Sequence, residues 1–249
     1  MISSYLSLEI TGEPFSLFSS SHIVALSLLA IAALTLFLFR TKLKQTAPNR
    51  IFRYTLAGLL LLTEFAFQVW HLYTNSWSAA YTLPLQLCSV SLLLCIVMLL
   101  ANSYRLYEIT YFWGLGGALQ AMITPELFYP FPHFRFLHFF LAHAAIILAC
   151  LFMTWVEGYR PTVRSLWKSI GFLNLLLPVA FVTNIITGGN YLFVSHKPVN
   201  PSLLDYLGPY PWYILSLEGV ALLLFTLLYL PFRRRQSKKE SPFAGDVPY

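Results

Sequence analysis

The sequence predicts an all-α polytopic membrane protein with seven transmembrane helices, its N-terminus outside and its C-terminus in the cytoplasm. Three observations predict it. Apolar residues fill 57% of the 249 positions and charged residues only 10%, against roughly 25% charged in an average soluble domain. Apolar runs close to the ~20 residues that carry a helix across a ~30 Å hydrocarbon core recur seven times along the chain. The basic residues collect in alternate connections between those runs. The apolar content also excludes an intrinsically disordered chain. Three cysteines, Cys88, Cys95 and Cys150, all in apolar segments, are no disulfide scaffold. A net charge of +6 is accounted for by membrane orientation, so no nucleic-acid partner is expected.

The spans are expected at about 21–40, 51–73, 82–101, 108–124, 135–156, 168–187 and 211–232, within a single domain covering residues 1–249. The first 20 residues hold no Lys or Arg but include Glu9 and Glu13, so the first run is read as a retained helix rather than a secretory signal. The fourth run is the shortest, and its Gly114, Gly116 and Gly117 allow a neighbouring helix to approach closely. Of the 16 Lys and Arg, all but Arg135 and Lys197 fall on the side that follows the odd-numbered spans. The positive-inside rule makes that side cytoplasmic, in a multi-pass protein of the plasma membrane. The basic tail, 233–249, is expected to lie against anionic lipid head groups.

Polar residues inside spans are costly and mark function by default. In the second span Glu64, Gln68, His71 and Asn75 share one helical face. In the third, Pro84, Cys88, Ser91 and Cys95 have the same spacing, with Gln86 close by. The fifth carries Arg135 and His138 on one face, with His143 about 140° around the helix from His138. Asn174 and Asn184 lie in the sixth span and Glu218 in the seventh. The expected orientation puts most of these in the outer half and leaves the inner halves almost purely apolar. Several spans then supply polar groups to one outward-facing cavity.

Cys88 beside an imidazole suits acyl transfer, in which a thiolate attacks an ester carbonyl. His143 or His138 would supply the base, and Arg135 at the mouth would hold a lipid phosphate. Glu64, His71, Glu218, Asn184 and Gln86 are the expected binding residues. A lone buried cysteine is more often a small hydrophobe, and single Asn, Gln or Ser residues are more often glue between helices. Three histidines and two acids would also suit a metal, but no HExxH or tight Cys/His spacing supports one, so neither a metal nor a cofactor is expected. The connection 188–211, rich in Gly, Pro and Tyr, is expected to fold as a lid over the cavity, with His196, Lys197 and Asp205 as internal ties or head-group contacts.

The strings LPLQLCSVSL (83–92), TPEL (124–127), NYLFVSHKP (190–198) and SLLDYLGPYPWYI (202–214) resemble the YwaF-like bacterial integral membrane proteins. That family in turn is similar to a eukaryotic transmembrane acyltransferase family assigned to phospholipid remodelling through an intramembrane Cys and His. The resemblance implies Cys88 as the cysteine and His143 as the match for the histidine. The expected function is an intramembrane lipid acyltransferase or hydrolase acting on a membrane lipid. The alternatives are a small-solute transporter and a non-catalytic lipid- or partner-binding protein.

Overall fold

A computed structural model describes residues 5–10, 12–198 and 203–236. Its seven long helices are α1 Ser20–Phe39, α2 Thr46–Tyr73, α3 Leu87–Ala101, α4 Tyr104–Ile123, α5 Phe134–Trp155, α6 Val163–Thr187 and α7 Trp212–Gln236. Of these, α1, α2, α5, α6 and α7 are long and apolar enough to cross a membrane. Short connections make sequential helices antiparallel. One end of the bundle carries the 188–211 loop and is the lid end. The opposite, basic end carries Arg40, Arg53, Arg105 and Arg160. Residues 237–249, most of the basic tail, lie outside the described residues.

The helix ends follow local rules. Thr162 and Ser165 form a reciprocal capping box that starts α6, and Gly188, with φ +72°, ends it. Ser103 caps α4 by accepting from the Leu106 N–H. Asn102 supplies the left-handed turn between α3 and α4. The third apolar run turns helical only at Leu87, because residues 82–86, with Pro84 among them, form a tight turn. Pro84 therefore shares no helical face with Cys88, Ser91 and Cys95. At 15 residues α3, not α4, is the shortest of the seven.

Helix α4 is the hub. Tyr107 to Gly116 are buried without a break. Protein encloses this stretch on every side, so it can carry Glu108, Thr110 and two tyrosines, Tyr107 and Tyr111. Its glycines point three ways. A Cβ on Gly114 would stand 3.0 Å from Ile146 Cγ2 and 2.7 Å from Cys150 Sγ of α5. One on Gly116 would meet Leu224 and Phe225 of α7, and one on Gly117 would meet Leu87 and Cys88 of α3. Small residues here let three helices close on the fourth.

The basic end is polar inside. The Glu108 carboxylate, 7% exposed, receives Lys168 Nζ at 2.5 Å and the Ser165 hydroxyl at 2.9 Å. Glu157 accepts from Asn49 and Asn102, and Arg53 donates to the Leu99 and Leu100 carbonyls. The expectation that the halves of the spans nearer the basic residues are almost purely apolar does not hold. Glu108 sits at a span boundary, where sequence gives no sign of its burial.

At the other end the 188–211 loop is folded wherever it is described. Tyr191 is fully buried. Its hydroxyl donates to Ala79 O at 2.8 Å and accepts from the Leu83 N–H at 3.0 Å. Asn184 clamps the Tyr191 backbone from both sides, donating to its carbonyl and accepting from its N–H. Gln86, at the head of α3, accepts from the Leu192 N–H. His196 and Lys197 act as internal ties, to Asn190 and to the Asp205 carbonyl. A Cβ on Gly189 would stand 2.3 Å from Ala80 O, a backbone atom with little room to yield. Gly189→Ala is expected to cost about 2 kcal/mol of stability and to speed protease cutting within 188–198. Thermal unfolding and limited proteolysis in detergent check both.

Candidate functional site

Three pairs fix the register of α5 on α4. Tyr107 OH meets Thr154 Oγ1 at 2.9 Å, Cys150 Sγ donates to Thr110 O at 3.3 Å, and Gly114 faces Ile146 and Cys150. Continued by one turn, the same register brings His143 level with Gly117 and Ala118. Cys88 Sγ lies 3.9 Å from the position of a Gly117 Cβ. By this register Cys88 of α3 and His143 of α5 come to the same level along α4. No hydrogen bond joins them among the described residues.

Hydrogen bonding fixes the tautomer of His143. Its Nδ1 lies 2.7 Å from Phe139 O. A carbonyl only accepts, so Nδ1 carries the proton and Nε2 the lone pair. Nε2 makes no hydrogen bond, and no described side-chain N or O is both buried and unpartnered, so Nε2 borders accessible space. Of the three thiols only Cys88 is partly exposed, while Cys95 and Cys150 are buried in the core.

His138 is built differently. Its Nε2 donates to Thr63 O of α2 at 3.1 Å, and its Nδ1 accepts from Arg135 Nη1 at 3.4 Å. Both nitrogens are engaged, so it has no free lone pair. The Arg135 guanidinium lies over the rings of Phe67 at 4.8 Å and Trp70 at 5.8 Å. It has no carboxylate partner: the ion pair among the described residues is Lys168–Glu108, at the opposite end. His71 bonds Ser76 Oγ through Nδ1 at 2.8 Å and packs on Phe67 and Trp70. His71, His143 and Arg135 all lie within electrostatic reach of His138. No group of three His, Cys, Asp or Glu residues among the described residues is placed to hold a metal ion.

A strap closes this cluster at the lid end. Trp70 Nε1, His133 Nε2 and Tyr129 OH donate to the successive carbonyls of Leu6, Ser7 and Leu8, at 2.9, 2.8 and 3.2 Å. His133 also caps α5, accepting from the Arg135 N–H at 3.0 Å. Burial holds its imidazole below the ordinary range, so it is neutral at pH 7.

The remaining residues singled out from sequence go elsewhere. Glu64 accepts from Gln68, which also donates to Thr82 O and accepts from Trp77 Nε1, so this group faces the α2–α3 connection. Asn184 and Gln86 hold the lid. Glu218 accepts from Asn174 Nδ2 at 3.2 Å between α6 and α7. That contact puts the two at one depth rather than in opposite halves, away from Arg135 and His138. His22 went unnoticed in the sequence. It is fully buried, donates to Met122 O and accepts from the Phe18 N–H, tying α1 to the end of α4. A single histidine opening an apolar run gives no hint of such a bond.

Comparison with known proteins matches residues 17–229 to the model of the TMEM164 family. An uncharacterized protein of Treponema pallidum (strain Nichols) is 29% identical over 162 residues, 65% of this chain and 66% of that protein. The chain thus spans just under two thirds of that relative's length. No solved structure matches. The family match covers most of the chain, and the chain belongs to the TMEM164 family.

Proposed function

We propose that this TMEM164-family protein is a plasma-membrane lipid acyltransferase or hydrolase, with its lid end outside the cell. Cys88 is the nucleophile, His143 the general base and Arg135 the head-group contact. The observation that carries the reading is the His143 tautomer. An imidazole whose Nδ1–H is bound to the Phe139 carbonyl offers Nε2 as a base, and the register of α5 on α4 brings it level with the turn that the one partly exposed thiol touches. The sequence resemblance to a Cys–His acyltransferase family supports the same pair.

In the reaction the Cys88 proton passes to His143 Nε2 as Sγ attacks the ester carbonyl. The ester C–O bond breaks, the imidazolium returns the proton to the departing alkoxide, and a Cys88 thioester remains. Water or a second alcohol, deprotonated by His143, then attacks the thioester. The acyl group leaves with it and the thiol is restored. His138, with both nitrogens engaged, is a positioning residue that holds Arg135.

The two histidines separate in a test. Purified protein in liposomes is given a phospholipid labelled on one acyl chain, and acyl release or transfer is followed by mass spectrometry. His143→Gln is expected to lower kcat by about 10²–10⁴-fold, the usual worth of a general base. His138→Gln is expected to raise KM chiefly. The reverse pattern would move the base to His138. A lipid that copurifies and stays unchanged with wild-type protein would favour a non-catalytic lipid-binding protein.

A further inference from the structure

An apolar groove of about 190 Å³ runs along the outside of the bundle between α2 and α5. Leu59, Leu62 and Ala66 form one wall and Phe134, Leu137 and Leu141 the other, with Thr63 and His138 at the floor. From Phe134 to Leu141 it extends roughly 10 Å along the helix axis. Its rims face outward: Leu62 is 60% exposed and Leu137 49%. On a membrane protein that direction is the acyl region of the bilayer. The groove therefore opens sideways into lipid, whereas residues 6–8 strap the lid end of the same cleft.

Arg135, in the first turn of α5, follows Phe134 of the groove wall and bonds His138 of its floor. Two aromatic faces and His138 Nδ1 hold its guanidinium. Its Nε and second terminal nitrogen make no hydrogen bond, and no described side-chain nitrogen is both buried and unpartnered, so these donors reach accessible space. The groups around it, His71, His133, His138, His143 and Tyr129, bring no carboxylate. One fixed positive charge thus sits in the first turn of α5, next to a narrow apolar slot.

We propose that the α2–α5 groove seats one acyl chain of an anionic glycerophospholipid that enters from the surrounding leaflet, its phosphate held by Arg135. The charge decides between lipid classes. A head group of net charge −1 balances the guanidinium, whereas a zwitterionic head group brings a second cation beside it. The seat follows from geometry and charge alone. That the seated lipid is the acyl donor or acceptor rests on the reading given under Proposed function.

The test uses full-length Cys88→Ala protein, in which turnover is blocked, in phosphatidylcholine nanodiscs. The probes are phosphatidylglycerol and phosphatidylcholine carrying the same mid-chain diazirine. After irradiation, phosphatidylglycerol adducts are expected on peptides covering 59–66 and 134–141, about tenfold above the phosphatidylcholine adducts. Arg135→Gln is expected to equalise the two probes, and Arg135→Lys to keep part of the preference. Ala66→Trp, which fills the slot, is expected to remove adducts of both. Equal labelling by both probes in Cys88→Ala, or labelling confined to other helices, would each overturn the proposal. Absent groove labelling alongside normal wild-type turnover sinks the seat and spares the catalytic reading. Labelling as expected without any wild-type turnover does the opposite.

Discussion

Cys88→Ala is expected to reduce acyl transfer or hydrolysis by about three orders of magnitude or more, as loss of a covalent nucleophile does elsewhere. It is expected to leave folding within about 1 kcal/mol of wild type. The second expectation gives the first its meaning. Cys88 is only partly buried and makes no hydrogen bond, so truncation to alanine removes a small apolar contact with the Gly117 turn and little else. Neither remaining thiol can take over. Cys95 lies two turns along α3, about 10 Å away by helix rise. Cys150 is fully buried, with its Sγ committed to Thr110 O. A thiol-directed lipid-ester probe should label wild-type protein and leave Cys88→Ala unlabelled. Unchanged turnover by well-folded Cys88→Ala would remove the nucleophile from the account and with it the role of His143.

The second large effect is on stability, at the far end of the bundle. Lys168→Met leaves the buried Glu108 carboxylate with Ser165 as its remaining side-chain donor. Removing one partner of a fully buried pair costs about 3–5 kcal/mol. Here the Lys168 side chain is half exposed, at 50%, so the expected loss falls below that range, at about 2–3 kcal/mol. Glu108→Gln keeps an oxygen for Ser165, lets Lys168 turn to solvent, and is expected to cost about 1 kcal/mol. Combining the two is expected to recover part of the Lys168→Met loss, because no uncompensated charge then stays buried. Unfolding in detergent for the two single variants and the double variant measures the coupling. Strict additivity would mean that the ion pair holds nothing together.

Much of the architecture was legible in the residues. The seven helices stand where apolar runs of membrane length stood, because that signal comes from many residues at once. Its failures are local. Residues 82–86 are as apolar as a helix end, but Pro84 and the Gln86 contact with the lid make them a turn. The fourth run looked weakest because it is the least lipid-like, and it is the least lipid-like because protein surrounds it. The candidate site was legible in its residue types more than in its grouping. Spacing separated His143 from His138 by about 140°, and α5 does present Arg135 and His138 to α2 while the Nδ1 of His143 turns back to Phe139 O of its own helix. Which helix each polar residue faces is a tertiary fact. Asn184 has the look of a cavity residue but spends both ends of its amide on the Tyr191 backbone. Glu218 bonds Asn174 between α6 and α7. Which histidine keeps a free lone pair depends on single carbonyls, Phe139 O for one and Thr63 O for the other, and no sequence pattern records that choice.

The most direct measurement is a search for the acyl group on the protein. Wild-type protein is incubated with a phospholipid bearing one defined acyl chain, quenched in acid and digested. The Cys88 peptide is predicted to gain the mass of that acyl group less one hydrogen and to lose it in neutral hydroxylamine, as a thioester does. Cys88→Ala should give no adduct. Product formation with an unmodified Cys88 peptide under the same quench, or a stable adduct on another residue, would contradict the account.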